Sequence, residues 1–306
     1  MVTTPDLYPR PSTRLPGWRR WWIASRPRTL TMSVTPVLVG TVLAWSKGWS
    51  MNWPVFLLTL ACAVLIQVAT NLLNDVSDFE HGNDGDDRVG PVRITAAGLA
   101  SPAEVRRAAT IVLTAAAAIG AMLVWIGGPT ILALGVFSMA AGWAYSGGPK
   151  PVSHSALGEL WVLVFFGVVA VCGSYYLQAH EWSAIAVLFG LAIGAMAASV
   201  LLLNNYRDIG PDTIAGRRTL AAVLGHERSQ LIFALLILLP LLLPASLALA
   251  DREWQWLWLS WLVLPLLISI VARMRRLTGR ALNPVLGQTA MAQLLFGVLL
   301  TVGLLL

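Results

Sequence analysis

Charged residues are scarce in this chain, and their scarcity excludes a soluble globular protein. Only 12% of the 306 residues are charged and 57% are hydrophobic, which leaves too little polar surface to cover a water-soluble core. The only two cysteines, Cys62 and Cys172, fall within predicted spans without metal-ligand spacing, and the four histidines are scattered, so we expect neither a disulfide nor a zinc site. The sequence therefore predicts an integral membrane protein. We interpret its net charge of +6 as a consequence of membrane topology and not of nucleic-acid binding.

Long intervals without charged residues predict the transmembrane helices. A helix needs about 20 apolar residues to cross the hydrocarbon layer. The interval 108–149 is long enough for two spans, with Gly127-Gly128-Pro129 as the turn between them. Seven other intervals hold one span each, namely 29–46, 48–74, 160–180, 182–206, 229–250, 254–272 and 281–306. The predicted fold is all-α, a polytopic bundle of nine transmembrane helices.

The distribution of positive charge predicts how these helices are oriented. Arg and Lys accumulate on short cytoplasmic loops. With the N-terminus in the cytoplasm, the outer loops receive only Lys47 and Arg252, and the inner segments receive the other 19 of the 21 basic residues. One omitted span would invert every later loop, so this asymmetry supports the count of nine.

The segment 1–24 precedes the first predicted span, and its first 17 residues are polar, with no apolar stretch of the kind found in signal peptides. Trp18, Trp21 and Trp22 surround Arg19 and Arg20, a composition that favours the membrane interface. We expect residues 1–24 to be a cytoplasmic, interfacial segment. We expect residues 1–306 as a whole to form a single integral membrane domain.

The few carboxylates are concentrated at two places on the predicted cytoplasmic side. The first cluster, Asn74-Asp75-Val76-Ser77-Asp78 with Asp84, Asp86 and Asp87, follows the second predicted helix, and the second, Asn204 to Asp212, follows the sixth. Both begin with an Asn-x-x-x-Asp pattern, four helices apart, which indicates a parallel repeat of two similar four-helix halves plus one helix. We expect such a repeat to bring both clusters over one cavity.

Two acidic clusters beside a bilayer suit the chemistry of a lipid diphosphate. Mg²⁺ prefers oxygen ligands and bridges carboxylates to phosphate oxygens, and a spacing of four residues places Asn204, Asp208 and Asp212 on one helical face. Arginines grip phosphate oxygens bidentately, and the candidates are Arg88, Arg93, Arg217 and Arg218. The pattern predicts a magnesium-dependent enzyme that neutralises a diphosphate as it leaves an allylic carbon.

A solvated acidic loop and a transporter for divalent cations or organic anions are the alternative interpretations. A transporter requires ionisable residues near mid-bilayer on a path to the other face, and none of the nine predicted spans has one near its centre. We interpret Glu159, at the cytoplasmic start of the fifth predicted helix, as a carboxylate that suits the helix dipole. The sequence fits the enzyme better than the transporter.

Several motifs resemble the UbiA superfamily of intramembrane aromatic prenyltransferases. The likeness spans residues 25 to about 300 and rests on Ser25-Arg26-Pro27-Arg28-Thr29-Leu30, Asn74 to Arg93, Tyr145-Ser146-Gly147-Gly148-Pro149, Leu157-Gly158-Glu159-Leu160, Asn204 to Ala221 and Leu282-Asn283-Pro284. Gly82 stands four residues after Asp78, and the next aspartate is Asp84. This displacement, with Asp86-Asp87-Arg88-Val89-Gly90-Pro91 after it, is similar to the MenA branch of the family, whose acceptor is 1,4-dihydroxy-2-naphthoate.

The resemblance implies an activity and a location. The implied reaction moves a polyprenyl group from polyprenyl diphosphate to 1,4-dihydroxy-2-naphthoate with decarboxylation, giving demethylmenaquinone for menaquinone synthesis in the cytoplasmic (inner) membrane. The implied cofactor is Mg²⁺, and the implied partners are the two substrates and the lipid bilayer, without nucleic acid. The alternative within the family is another acceptor such as 4-hydroxybenzoate, although the lysine typical of that branch is displaced here to Lys150, five residues after Tyr145.

The resemblance also implies roles for individual residues. The implied magnesium ligands are Asn74, Asp75, Asp78, Asp84, Asp87, Asn204, Asp208 and Asp212. Among them, Asp78, Asp84, Asp208 and Asp212 are the implied catalytic residues. The implied substrate-binding residues are Arg88, Arg93, Arg217, Arg218, Asn74, Asn204 and Tyr145. The sequence indicates no proton acceptor, and a decarboxylative substitution does not require one.

Overall fold

The computed structural model describes residues 16–80, 90, 93–146 and 151–306, and this part of the chain is helical and contains no strand. Eight helical segments in it are long and apolar enough to cross a membrane. They are Pro27–Ser46, Trp53–Glu80, Pro102–Tyr145, Gly158–Ala179, Ala184–Arg207, Leu220–Ala250, Arg252–Arg276 and Gly279–Leu305. The protein is a multi-pass membrane protein, as its composition predicts.

The α-helices of these segments are numbered in chain order. They are α1 (Gly17–Ser25), α2 (Pro27–Ser46), α3 (Trp53–Glu80), α4 (Pro102–Ser146), α5 (Gly158–Val162), α6 (Ala170–Ala179), α7 (Ala184–Arg207), α8 (Ile209–Ile214), α9 (Leu220–Leu238), α10 (Leu242–Ala250), α11 (Leu264–Arg276) and α12 (Asn283–Leu305). A π-helical turn, Leu163–Val169, joins α5 to α6, and a 3₁₀ stretch, Arg252–Val263, precedes α11.

The helix α4 accounts for the difference between the eight segments found and the nine spans predicted. It contains 45 residues, about 68 Å at roughly 1.5 Å per residue, which is about twice the hydrocarbon thickness. Its helical backbone is interrupted at Gly128, where φ is 67° and ψ is −157°, a conformation that glycine tolerates. The interruption lies within the predicted turn, immediately before Pro129.

The π-helical turn and α7 pack with their backbones in contact. A Cβ atom on Gly167 would lie 2.2 Å from the carbonyl oxygen of Gly190, and one on Gly194 would lie 2.2 Å from the carbonyl oxygen of Leu163. Small residues permit such close approach between helices in membranes. Because α5 also packs against α7, this contact holds the start of α5 beside the second acidic cluster at the end of α7.

The main core lies among α2, α6, α7, α9, α11 and α12, with Phe189, Phe233 and Phe296 among its largest fully buried side chains. In contrast, α3 and α4 pack mainly against each other. The helix α4 carries many exposed apolar side chains, of which Trp125 is 91% exposed. These side chains provide an apolar outer surface that suits contact with lipid.

The helix α1 lies beside the C-terminal end of α3. Ala24 is buried against Leu72 and Val76 of α3, whereas Trp18 and Trp22 on its other side are 70% and 59% exposed. Arg26 adopts a left-handed φ of 49° and connects α1 to α2. Two indoles therefore point outward next to the first acidic cluster, and the interfacial role of residues 1–24 stays a prediction.

Candidate active site

The first acidic cluster lies on the last turns of α3. This helix has 28 residues, about 42 Å at roughly 1.5 Å per residue, so it extends beyond a hydrocarbon layer of about 30 Å. Asn74, Asp75 and Asp78 are on its C-terminal turns. The other predicted residues of this cluster, Asp84, Asp87 and Arg88, lie outside the described residues.

Asp75 binds the chain at Ile94 and Thr95. Its carboxylate accepts hydrogen bonds from the backbone N–H groups of Ile94, at 3.0 Å, and Thr95, at 3.1 Å, and from the Thr95 hydroxyl. The side chain is buried, with 1% exposure. These donors occupy both carboxylate oxygens. The structure thus shows Asp75 holding the chain at Ile94 and Thr95, and its metal-binding role stays a prediction.

Asp78 lies between two arginines. Its Oδ2 atom forms an ion pair with Arg93, and its Oδ1 atom accepts a hydrogen bond from Nη2 of Arg217 at 3.2 Å. Arg93 also donates to the backbone carbonyl of Asn74 at 3.2 Å. The structure therefore brings together the predicted site residues Asn74, Asp78, Arg93 and Arg217.

The second acidic cluster is divided by the end of α7. The helix ends at Arg207, with Asp208 at its C-cap, and Asp212 lies on the short helix α8. The single helical face predicted for Asn204, Asp208 and Asp212 is thus interrupted. The backbone N–H of Asp212 nevertheless donates to the carbonyl of Asp208 at 2.8 Å. The helical spacing is preserved locally, because this bond spans the break.

Arg207 organises this second cluster, a role that its position among the cytoplasmic positive charges does not predict. Its guanidinium donates to both oxygens of Asp208, at 2.8 and 2.6 Å, to Oδ1 of Asn204 at 2.9 Å and to Oδ1 of Asn283 at 2.8 Å. Its side chain is only 3% exposed. A buried arginine requires such partners. The motif Leu282-Asn283-Pro284 marks Asn283 as a candidate residue, but the sequence does not indicate that Asn283 contacts Arg207.

Arg217 connects the two acidic clusters. Its Nη2 atom contacts Asp78 on α3 at 3.2 Å, and its Nη1 atom contacts Oδ1 of Asp212 on α8 at 3.5 Å. Arg217 and Asp78 are 139 residues apart in the chain. One guanidinium therefore links the ends of α3 and α8, which is the juxtaposition that the internal repeat predicts.

The surroundings of Asp212 change the pKa of its carboxyl group. Burial raises its pKa from 3.8 to about 6, and the neighbouring Asp208 carboxylate acts in the same direction. Arg217 opposes the increase, and the Thr219 hydroxyl donates a hydrogen bond to Asp212 at 3.4 Å. Asp212 is thus a buried carboxyl group whose charge one arginine only partly compensates.

Two predicted substrate-binding residues lie outside this network of contacts. The side chain of Arg218 is exposed, while its backbone N–H donates to the carbonyl of His154 at 2.9 Å. Tyr145 lies in the last turn of α4.

The oxygen donors of the site suit magnesium, but arginines bind them in this structure. Among the described residues, no group of three His, Cys, Asp or Glu side chains is arranged to hold a metal ion. Asp78, Asp208, Asp212 and the amide oxygen of Asn204 are nevertheless the hard oxygen ligands that Mg²⁺ prefers, and each contacts a guanidinium. The residues present fit magnesium if it replaces the arginines as the partner of these oxygens.

The sequence is similar to prenyltransferases along nearly its whole length. Residues 33–304 match the model of the UbiA prenyltransferase family. The 1,4-dihydroxy-2-naphthoate octaprenyltransferase of Mycobacterium tuberculosis is 38% identical, over 92% of this chain and 94% of that protein. The enzyme of the same name from Escherichia coli is 36% identical, over 93% of this chain and 94% of that protein.

Solved structures are similar in fold. A UbiA homolog from Aeropyrum pernix superimposes with a TM-score of 0.68 at 18% identity, over 88% of this chain and 97% of that one. A UbiA homolog from Archaeoglobus fulgidus, bound to DMAPP and Mg²⁺, gives a TM-score of 0.59 at 16% identity, over 92% and 99%. Together with the match to the family model, these likenesses show that the chain belongs to the UbiA prenyltransferase family.

Proposed function

We propose that the protein transfers a polyprenyl group from polyprenyl diphosphate to 1,4-dihydroxy-2-naphthoate and that the acceptor carboxylate leaves as carbon dioxide. The observation that carries this proposal is the contact of Arg217 with both Asp78 and Asp212 at one end of an apolar bundle. The acceptor is taken from relatives that are named 1,4-dihydroxy-2-naphthoate octaprenyltransferase. Oxidation of the prenylated hydroquinone gives demethylmenaquinone for menaquinone synthesis.

Magnesium is the proposed cofactor. Its proposed ligands among the described residues are Asn74, Asp78, Asn204, Asp208 and Asp212, with Asp84 and Asp87 as further ligands from outside them. Asp75 is left out because its carboxylate oxygens bind Ile94 and Thr95. When bound, magnesium neutralises the charge that develops on the leaving diphosphate. A related solved structure that contains DMAPP and Mg²⁺ supports this choice.

Arg93 and Arg217 are the proposed diphosphate ligands, with Arg88 and Arg218 as additional ligands for the diphosphate or the acceptor carboxylate. Arg93 and Arg217 both contact Asp78, and a planar guanidinium can exchange a carboxylate for phosphate oxygens without losing its bidentate geometry. Arg207 has a different role. It is buried and fixes the orientation of Asn204 and Asp208.

The proposed reaction is an electrophilic substitution on the aromatic ring. The allylic C–O bond breaks, and its electron pair leaves with the diphosphate that the arginines hold. The ring carbon that bears the carboxylate then forms a bond to the allylic cation. Next the bond from this carbon to the carboxylate breaks, its electrons return to the ring, and carbon dioxide leaves. No side chain has to remove a proton from the ring carbon.

We also propose nine transmembrane spans, with α4 crossing the bilayer once before Gly128 and once after it. The 45-residue length of α4 and the left-handed φ of Gly128 support two crossings. With the N-terminus in the cytoplasm, 19 of the 21 basic residues are then on the inner side. Both acidic clusters face the cytoplasm from the cytoplasmic (inner) membrane, where soluble 1,4-dihydroxy-2-naphthoate reaches them.

The proposal is tested by prenyl transfer with the purified protein, magnesium, polyprenyl diphosphate and a panel of aromatic acids. We expect prenylation of 1,4-dihydroxy-2-naphthoate, and label at its carboxyl carbon should leave as carbon dioxide in step with product formation. Retention of the label, or preferential prenylation of 4-hydroxybenzoate, would assign the protein another acceptor. Failure to prenylate any acid, together with cation or anion flux in proteoliposomes, would indicate a transporter.

A further inference from the structure

Glu159 is a buried carboxylate with an unused acceptor atom. It lies in the first turn of α5 and is 4% exposed. Its Oε1 atom accepts a hydrogen bond from Nδ2 of Asn205 at 2.9 Å, whereas Oε2 has no hydrogen-bond donor among the described residues and is itself buried. Since a carboxylate can accept about four hydrogen bonds, this group is far from satisfied.

A structural role does not explain this arrangement. A carboxylate at a helix N-terminus is stabilised by the helix dipole, but a solvated carboxylate would have the same benefit without losing its water. Burial of a charged group is unfavourable unless hydrogen bonds replace that water, and here one neutral amide replaces it on one oxygen only. A buried acceptor atom without a partner is completed by a donor from outside the protein, either a bound ligand or an ordered water.

The location of Glu159 indicates which ligand this is. Asn205, which donates to Glu159, directly follows Asn204, whose side chain binds Arg207 in the acidic cluster. Glu159 therefore packs against the last turn of α7, the turn that carries Asn204. A Cβ atom on Gly158 would lie 3.5 Å from the Leu201 side chain, which holds this end of α5 against α7.

We propose that Oε2 of Glu159 accepts a hydrogen bond from a ring hydroxyl of the aromatic acceptor. This inference rests on the proposed function. A hydroxyl that donates to a carboxylate forms a strong, charge-assisted hydrogen bond, and the bond increases the electron density of the ring that attacks the allylic cation. The proton remains on the hydroxyl, so no further acid or base is required.

The charge of Glu159 also orients the acceptor. Two carboxylates repel each other, so the carboxylate of the acceptor is directed away from Glu159, toward the arginines of the acidic clusters. The hydroxyl then faces α5, and the carbon that bears the carboxylate faces the leaving diphosphate. Glu159 thereby selects acceptors that carry a hydroxyl and a carboxylate on different edges of the ring.

The test is a cycle of enzyme variants and acceptors. Glu159→Gln keeps the size of the side chain and the oxygen that accepts from Asn205. It replaces the Oε2 atom by an amide nitrogen, which removes the charge and the free acceptor. The acceptors are 1,4-dihydroxy-2-naphthoate and its two analogues that lack either the 1-hydroxyl or the 4-hydroxyl. We expect the variant to lose about ten- to a hundredfold in kcat/KM for the acceptor, the range for one charged hydrogen bond, with an unchanged KM for polyprenyl diphosphate.

The two analogues identify the hydroxyl involved. On the analogue that lacks the hydroxyl bound by Glu159, wild type and variant should perform equally, and on the other analogue the loss should persist. Calorimetric binding of the same acids, without polyprenyl diphosphate, should show the same pattern. Glu159→Asp, which keeps the charge, should recover part of the affinity. Glu227→Gln, the same change at an exposed position of α9, is the matched control.

An equal loss on all three acceptors, or a raised KM for polyprenyl diphosphate, would overturn the inference and assign Glu159 to bundle stability or to a buried water. A melting temperature of Glu159→Gln close to that of wild type excludes misfolding as the cause of a selective loss. If wild type prenylates another hydroxyaromatic acid instead of the naphthoate, the proposed acceptor is wrong. The same cycle on that acid then tests Glu159 independently.

Discussion

At the scale of single residues, Asp78 and Asp208 stand out because each uses both carboxylate oxygens in ion pairs within the site. We expect Asp78→Ala and Asp208→Ala each to lower kcat/KM by at least about a hundredfold, the scale on which removal of one group that stabilises the transition state acts. Steady-state prenyl transfer by variants that are purified in the same detergent measures the loss.

Asp251 provides the control for these two substitutions. It is exposed beyond the end of α10, and its carboxylate accepts a hydrogen bond from the backbone N–H of Glu253 at 3.0 Å. Removal of this local bond affects only the start of the 3₁₀ stretch Arg252–Val263. We expect Asp251→Ala to keep nearly full activity. Similar losses at Asp78, Asp208 and Asp251 would indicate a folding defect and not a metal site.

The raised pKa of Asp212 leads to a pH dependence of metal binding. Its pKa of about 6 means that the carboxyl is mostly protonated below pH 6 and mostly ionised above it. Because Mg²⁺ binds the ionised form, its apparent affinity in the presence of a non-reactive diphosphate analogue should fall about tenfold per pH unit well below pH 6. Calorimetry from about pH 5 to about pH 7.5 measures this dependence.

The variant Asp212→Asn should bind Mg²⁺ more weakly than wild type above pH 6, and its affinity should change little over the same pH range. An affinity of wild type that is independent of pH would contradict the assignment of Asp212 as a metal ligand. So would a variant with the same pH dependence as wild type, since another group would then titrate.

At the scale of helices, the contact between the π-helical turn and α7 depends on glycine. A Cβ atom on Gly194 would lie 2.2 Å from the carbonyl oxygen of Leu163, so Gly194→Ala forces the two backbones apart. We expect this variant to lose about 1–3 kcal/mol of stability, the usual range for an added methyl group in a packed core. Thermal unfolding in detergent measures the change.

Gly142 in α4 is the matched control for this substitution. A Cβ atom there would meet no atom within 4 Å, and alanine has the higher helix propensity. We expect Gly142→Ala to leave the melting temperature unchanged or slightly higher. Equal destabilisation by the two substitutions would show that the close contact at Gly194 contributes no particular stability. Other residues would then position α5 beside α7.

The helices could be predicted from the sequence because the bilayer imposes a length and an apolar composition on each of them. The interruption of α4 was also predictable, since Gly127-Gly128-Pro129 is the strongest turn signal within the interval 108–149. The end of α7 at Arg207 was not. Gly210-Pro211 indicates a helix end in this segment, but the helical spacing of Asn204, Asp208 and Asp212 favours a continuous face, and neither signal places the end at Arg207.

The composition of the site was easier to predict than its contacts. Residue types and membrane side identify Asp78 and Arg217 as candidates, but only the packed structure shows that they form an ion pair. Asp75 has the same residue type and the same location, and yet it binds Ile94 and Thr95. It lies about 100° around α3 from Asn74, so its partner depends on which segment packs there.

At the scale of the whole molecule, the described site is formally neutral. Asp78, Asp208 and Asp212 are balanced by Arg93, Arg207 and Arg217. A magnesium ion alone has to displace arginines, and a diphosphate alone has to displace carboxylates. When both bind, the displaced groups find new partners. We therefore expect each ligand to increase the affinity of the other by the same factor, because such coupling is reciprocal.

Calorimetric titration of Mg²⁺ with and without a non-reactive prenyl diphosphate analogue measures this coupling. We expect a factor of about 5–150, the usual range for coupled sites. Arg217→Gln should reduce the factor, because Asp78 and Asp212 lose the guanidinium that they share. Arg275→Gln, at an exposed position in the last turn of α11, should leave it unchanged. Independent binding of the two ligands would contradict the exchange of partners.

The shared contact of Arg217 has a consequence for the rate of turnover. After prenyl transfer, the diphosphate must leave a pocket that binds it with several positive groups, and product release limits many enzymes. Asp78 and Asp212 lie beside Arg217, and under the proposed roles they compete with the product for its guanidinium once magnesium leaves. Each carboxylate that forms an ion pair with Arg217 again weakens the binding of the diphosphate to this arginine. The aspartates that take part in substrate binding therefore also promote release of the product. When they pair with Arg217 again, the site returns to its ligand-free contacts and can bind the next prenyl diphosphate.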